Sequence, residues 1–516
     1  MAPGPVAKPA DQPKSGNAAS APSSYWDRRR DMNKRPILVW FSDDLRLGDH
    51  PALAAAARSD AAVIPVFVLD DAAADPWRYG GASRWWLHRS LGALARDLAS
   101  IGSRLVLRRG DTRRILTGLA RETGAGAVFC TCGATPGRRR LETALKSDFD
   151  RLGAAFRRFG GCTLWDPEEL RTRSGDPYRV FTPFWRAGSQ SFDPGPRWER
   201  PDALPPPDSW PESDALSQWE LDPASPNWAE GWDALWRPGE AGARDLLKQF
   251  LERGLRSYHA ERDRPDLAST SRLSPHLRFG EISPRDCWRA VSAAAAEDAG
   301  RAAGGETFLK ELGWREFSYH LLHHFPHIPE KNFQPKFDVF PWADDKDMLR
   351  AWRRGRTGYP IVDAGMRELW KTGWMHNRVR MITASFLTKH LLIDWRAGEA
   401  WFWDTLIDAD LANNAASWQW VAGSGADAAP YFRIFNPVLQ GEKFDPDGNY
   451  VRKWVPEIAA LPDTHIHKPW EASAEVLARA RIALGSDYPA PIVDHKSARR
   501  RALGAFESLK PGKRLR

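Results

Sequence analysis

The feature that most constrains this chain is a change of hydrophobic period partway along it. From PILVWF (36–41) onward, short apolar runs alternate with amphipathic stretches: AAVIPVFVLD, SRWWLHRSLGALARDLASI, RLVLRRGD and AGAVFC. Strand-length apolar runs separated by stretches of helical period predict βα units, and hence a parallel sheet, because parallel strands need crossovers to join them. After about Gly239 the pattern is helical throughout, as in ARDLLKQFLERGLRSYHAER, TFLKELGWREFSYHLLHHF and VRMITASFLTKHLLIDW. Between the two, PGPRWERPDALPPPDSWPE is dense in proline and acidic side chains and reads as a connector. The expected fold is therefore an α/β N-terminal domain over 36–165, a linker over 166–240 and an all-α domain over 241–510. Residues 1–35, which open on Ala, Pro, Ser and Gly without an apolar run, are expected to form a disordered leader.

Several function classes drop out early. The first strand runs into SDDLRLGDHPAL with no glycine fingerprint, so this Rossmann-like sheet is not an ordinary dinucleotide binder. GSGADA (423–428) fits the string G-x-G-x-x-A but follows a helical stretch, which makes it a chance match. Neither a G-x-S-x-G elbow nor a phosphate-binding G-x-x-x-x-G-K-[ST] loop occurs. No window approaches the roughly 20 apolar residues of a membrane helix. Four cysteines in 516 residues make no disulfide framework, which points to a reducing cytoplasm. Cys130 and Cys132, at the end of an apolar run and without further ligands nearby, read as strand packing. His320 and His324 stand at i, i+4 without the carboxylate of a zinc-protease motif and read as packed or surface histidines, so no metal is expected. A net charge of +8 makes an anionic partner plausible, nucleic acid foremost. The 26 tryptophans need a reason, since each indole N–H wants a partner when buried.

Two stretches offer chemistry. STSRLSPHL (269–277) supplies hydroxyls, backbone N–H groups and a cation at a loop-to-helix start, which suits either a phosphate site or an ordinary N-cap at Ser274. LIDADLANNAASWQW (406–420) sets Asp408 and Asp410 just before an Asn pair, with Arg378 and Arg380 of GWMHNRVRM as natural partners. This reads either as a capped helix start with a salt bridge or as a pocket for a polar heterocycle.

Together with LIDWRAGE, WQWVAGSGADAAPYFRIFNP and QGEKFD, these segments resemble the photolyase/cryptochrome family of flavoproteins, from about Ile37 to Leu509 and most densely over 258–445. Among subfamilies the chain is most similar to microbial class I cyclobutane pyrimidine dimer photolyases. The resemblance implies a helical domain that binds FAD and a carbon–carbon lyase activity: blue-light-driven repair of cyclobutane pyrimidine dimers in DNA, with the dimer flipped out of the duplex. It implies that Tyr258, Thr270, Ser271, Arg272, Leu273 and Ser274 grip the FAD phosphates and ribityl chain, with Arg315 nearby. Arg380, Asp408 and Asp410 would border the ring systems, and Asn414 would face the flavin N5. Trp314 and Trp420 match the aromatic walls of the lesion pocket, Glu311, Asn377 and Met381 the residues touching the dimer, and Arg262, Arg378 and Gln440 the DNA contacts. Trp418, Trp395 and Trp342 match a tryptophan triad for electron transfer. Phe308 stands where close relatives have Trp.

The family's folate-antenna register reads Gly137-Arg138 here instead of Asn-Glu, which makes folate doubtful and leaves a deazaflavin, another pigment or no antenna open. A monomer with no membrane association is expected. A photolyase for the 6-4 lesion would carry His at 377 and 381; the non-enzyme alternative is a cryptochrome photoreceptor with FAD and no repair.

Overall fold

The computed structural model describes residues 35–72, 77–190, 192–428 and 432–509. The expected leader therefore lies outside the described residues, Arg35 excepted. Five parallel strands, β1 (Ile37–Phe41), β2 (Val63–Leu69), β3 (Val106–Arg109), β4 (Ala127–Thr131) and β5 (Ala155–Phe159), form one sheet in the order β3-β2-β1-β4-β5. Helices α1 (Pro51–Ala57), α2 (Gly81–Ala99), α3 (Thr112–Thr123) and α4 (Pro136–Arg151) join them. Side chains alternate across the sheet: Ile37, Val39 and Phe41 pack with Trp85, Trp86 and Leu94 of α2, while Leu38 and Trp40 pack with Leu116 of α3 and Phe149 of α4. Burial on both faces is why the strands read as unbroken apolar runs. Cys130 is buried in β4, where desolvation pushes its thiol pKa up to about 12.

The stretch 166–240 carries helix α5 (Phe181–Ser189), and its Trp232 and Trp236 insert against Trp85 and Trp86 at centroid distances of 5.3 and 5.6 Å. Beyond it the chain is helical, including α6 (Ser274–Arg278), α7 (Ala302–His324), α8 (Asn377–Ser385), α9 (Trp395–Thr405) and α10 (Leu411–Ala422). His320 is buried in α7, which lowers its pKa to about 4, with the His324 ring 4.5 Å away. Among the described residues no three His, Cys, Asp or Glu side chains are grouped to hold a metal, and no helix is long and apolar enough to cross a membrane.

Strand order reverses between β1 and β4, the crevice where open α/β sheets usually take ligands. Here the chain itself fills that edge. Arg278 pairs with Asp43 at 2.7 Å, Leu45 N donates to Phe279 O at 3.0 Å, and Arg46 Nη1 donates to Gly280 O at 2.9 Å. Gly280 is required: its φ is +63°, and a Cβ there would lie 2.0 Å from Asp43 O. On the sheet side, the Arg138 guanidinium lies 3.3 Å over the Trp40 ring.

Candidate active site

Helices α6 to α10 enclose a cavity of about 560 Å³, within the usual range for small-molecule sites. Local sequence sets its walls. Asp410 caps α10 by accepting from Asn413 N at 2.8 Å, and Gly423, at φ +89°, ends that helix one turn past Trp418 and Trp420. Asn414, on the first turn of α10, donates from Nδ2 to Glu399 O at 3.0 Å, which fixes the amide and leaves its carbonyl oxygen free to accept. On α7, Glu311, Arg315 and Tyr319 recur every four residues and so share one face.

The cavity brings together most of the residues expected from sequence. Its lining includes Tyr258, Ser271, Leu273, Ser274 and Arg315, together with Arg380, Asp408, Asp410 and Asn414. It also includes Arg262, Glu311, Trp314, Asn377, Arg378, Met381 and Trp420; Trp418 and Phe308 reach the wall as well. Thr270 and Arg272 depart from this set: with Ser271 they line a neighbouring, larger cavity of about 1390 Å³. Gln440 lies on Pro437–Phe444, outside both linings. Trp395 and Trp342 also fall outside the lining. Trp395 is fully buried on α9, whose Gly398 lets α10 approach until Trp418 fills the space of the missing Cβ. Trp342 is half-buried, and its neighbour Ala343 donates to Leu392 O at 2.7 Å, three residues before Trp395.

The charges pair differently from the expectation in one respect. Arg380 does bind Asp408, at 2.8 Å, but Arg378 pairs with Asp263, and Asp410 takes the Tyr319 hydroxyl. Position explains the split: two residues apart on α8, the arginines leave on different faces. Ser274 is not an N-cap either; it is the first helical residue, and its hydroxyl donates to Asp408 at 2.6 Å. Asp263 and Tyr319 were missed. Asp263 carries no local signal, whereas Tyr319 could have been found as the next member of the Glu311–Arg315 stripe. Glu311 binds Arg262 at 2.8 Å, yet desolvation outweighs that partner and holds its pKa above the ordinary value.

Several buried polar atoms of residues lining the two cavities lack a protein partner: Asp408 Oδ1 and the Nε atoms of Arg262, Arg272 and Arg378. Such groups are costly unless something satisfies them. Arg272 is the most telling. Desolvation lowers its pKa against the opposing charge of Glu368, it lies over Trp236 at 4.1 Å, and among the described residues no carboxylate comes within salt-bridge distance of it. Its φ of +53° in a Ser-Thr-Ser-Arg turn is the kind of backbone that gathers N–H groups around an anion. A buried guanidinium without a salt bridge, beside a cavity carrying an unpartnered carboxylate oxygen and a fixed amide, fits a phosphate-bearing heterocyclic cofactor such as FAD.

Comparison with known proteins agrees. Residues 37–208 match the DNA photolyase family model and residues 308–508 that of the FAD binding domain of DNA photolyase. The deoxyribodipyrimidine photo-lyase of Agrobacterium fabrum is 52% identical, over 93% of this chain and 99% of that protein. Cryptochrome-1 of Arabidopsis thaliana is 40% identical, over 92% of this chain and 70% of its own length. The crystal structure of a bacterial class III photolyase from Agrobacterium tumefaciens superposes with a TM-score of 0.89 at 52% identity, covering 92% of this chain and 98% of that one. With sheet, helical half and cavity arranged as described, the chain belongs to the DNA photolyase/cryptochrome family and carries that family's FAD-binding domain.

Proposed function

We propose that this protein repairs cyclobutane pyrimidine dimers in DNA under blue light, and that it does so as a class III photolyase. The subclass differs from the class I expectation; the 52% identity to a structure titled class III supports it. One observation carries the reading: a single cavity is lined by most of the residues suited to FAD and by most of those suited to an extruded pyrimidine dimer. When bound and reduced, FAD supplies the photoexcited electron that opens the cyclobutane ring and is then returned.

The chain's own residues do the rest. Trp314 and Trp420 present flat apolar faces on which extruded pyrimidines stack. Glu311, whose pKa burial raises, lines the cavity where its carboxyl, when protonated, donates to a pyrimidine carbonyl and steadies the negative charge that develops there. Asn377 and Met381 touch the dimer, and Arg262 and Arg378 present cations to the DNA backbone, with Gln440, outside the cavity lining, as a further DNA contact. With FAD bound, Asp408, Asp410 and Arg380 would border the ring systems, Tyr258, Ser271, Leu273 and Ser274 with Arg315 would hold the phosphates and ribityl chain, with Thr270 and Arg272 beside them on the adjoining cavity, and Asn414 would offer its carbonyl oxygen to the flavin N5. Trp418, Trp395 and Trp342 relay electrons inward from the surface. Residues 36–165, 166–240 and 241–510 act as α/β domain, linker and FAD domain of a cytoplasmic monomer. With Arg138 in the folate register and seated over Trp40 of the central strand, folate is disfavoured, and the antenna is a deazaflavin, another pigment or none.

The test is direct. Reduced purified protein, mixed with an oligonucleotide carrying one thymine cyclobutane dimer, should restore intact thymines in blue light and not in the dark. Flavin bound but no repair would sink the proposal and favour a photoreceptor like Cryptochrome-1.

A further inference from the structure

The two aromatic walls of the cavity come from helices far apart in sequence, α7 and α10, and one residue outside both touches the support of each. Asp427 follows α10 in the turn 423–427. Its backbone carbonyl accepts from Trp420 Nε1 at 3.2 Å. Its carboxylate oxygen Oδ2 accepts from the backbone N–H of Phe181, at 3.3 Å, 246 residues away in sequence. Phe181 opens α5, a helix whose own N-cap, Val180, has no side chain able to cap it. Asp427 therefore caps α5 from across the molecule, with its charge at the favourable end of the helix dipole. The ring of Phe181 then lies face to face on Trp314, at a centroid distance of 3.6 Å and an interplanar angle of 10°.

The turn is built to hold that position. Gln334 donates to Ser424 O from its backbone and to Gly425 O from its side chain, both at 2.9 Å. Asp427 itself sits at φ +52°, a conformation that only Gly, Asn and Asp adopt readily. Asp is thus the residue that combines the required backbone with an acceptor long enough to reach α5, and among the alternatives Asn alone offers both.

We propose that Asp427 is the positioning residue that sets the separation of the two lesion-stacking walls, holding Trp420 directly and Trp314 through Phe181. The assignment rests on reading this cavity as the lesion pocket. Without the cap, α5 and the Phe181 ring lose their tether and the Trp314 face is free to tilt, while the flavin side of the cavity is untouched.

Three variants of the FAD-bound full chain test it. Asp427→Gly keeps the left-handed backbone and the carbonyl but removes the cap; Asp427→Asn keeps all three; Phe181→Leu removes the stacked ring. Asp427→Gly and Phe181→Leu should each weaken binding of a dimer-containing oligonucleotide by about fivefold, the scale of one lost hydrogen bond or ring contact, with FAD content and affinity for undamaged DNA unchanged. Asp427→Asn should stay within about twofold of the parent. The near-ultraviolet circular dichroism of the pocket indoles should change in the first two variants and not in Asp427→Asn. Parental affinity and spectrum in Asp427→Gly, or an Asn variant no better than the Gly one, overturns the assignment. Should Asp427→Gly not fold, the Phe181→Leu result decides by the same criterion. A parent that does not distinguish damaged DNA overturns the lesion-pocket reading instead, and the dichroism series still decides whether Asp427 holds the two walls.

Discussion

Gly398 offers the sharpest test of how tightly the candidate electron path is packed. It lies on α9, three residues after Trp395, and a Cβ there would stand 2.1 Å from Cη2 and 2.5 Å from Cζ3 of Trp418, with Leu387 Cδ2 at 2.7 Å. Trp418 cannot swing clear: only 2% exposed, it is wedged between Trp352 and Phe402 at centroid distances of 6.2 and 5.0 Å. Two opposed terms set the outcome. Alanine is worth about 1 kcal/mol more than glycine in a helix interior. A methyl forced into a filled core costs about 1–3 kcal/mol, and three contacts below 3 Å place this one at the upper end. Gly398→Ala should therefore destabilise the FAD-bound protein by about 1–2 kcal/mol, or a fall in Tm of a few degrees. Because the methyl shifts the Trp418 indole, photoreduction of oxidised flavin should slow as well. A Tm at or above the parent's, with the photoreduction rate unchanged, would show that Trp418 has room to yield and that this packing argument is wrong.

Glu311→Ala should lower repair yield by about tenfold or more, since it deletes a group aimed at developing charge, while FAD stays bound; parental yield would refute the role. Trp342→Phe should block photoreduction of oxidised flavin yet spare repair by chemically reduced enzyme, and normal photoreduction would break the assigned relay. Asp445 supplies a pH signature. Its fully buried carboxylate accepts from Tyr450 N and Val451 N at 2.9 and 3.0 Å, but desolvation raises its pKa from 3.8 to about 6. The folded state then binds more protons than the unfolded state between these values, so this group makes stability fall as pH rises from about 4 to 6. Asp445→Asn should flatten that stretch of the urea-denaturation profile; an unchanged slope would refute the shifted carboxyl.

Much of this was legible in sequence because it is local. The strands announced themselves through apolar runs that both sheet faces bury, and the Asp408–Asp410–Asn414 spacing put its residues around one helix start. What sequence could not show is pairing across long separations. Arg378 chose Asp263 over the nearby acidic pair, 115 residues away. Thr270 and Arg272 look from sequence like part of one phosphate grip, yet the left-handed φ of Arg272 turns that side chain onto Trp236 and into the adjoining cavity. The tryptophan count was explained only in part by stacking and electron relay. Trp85, Trp86, Trp232 and Trp236 serve neither; they weld the connector to the sheet, a use no motif reveals.

The filled edge of the sheet has a mechanical consequence. The amides of Leu45 and Leu47 donate to Phe279 O and to Glu240 Oε2, and the Trp86 indole donates to Glu281, so donors of the sheet half are satisfied by acceptors of the helical half and of the connector's last residue. Prying the halves apart would strand each of these buried groups at about 1–3 kcal/mol apiece. Such a joint does not work as a hinge. Splitting this chain into two separately expressed fragments at the connector should yield pieces that precipitate alone and recover structure only when mixed.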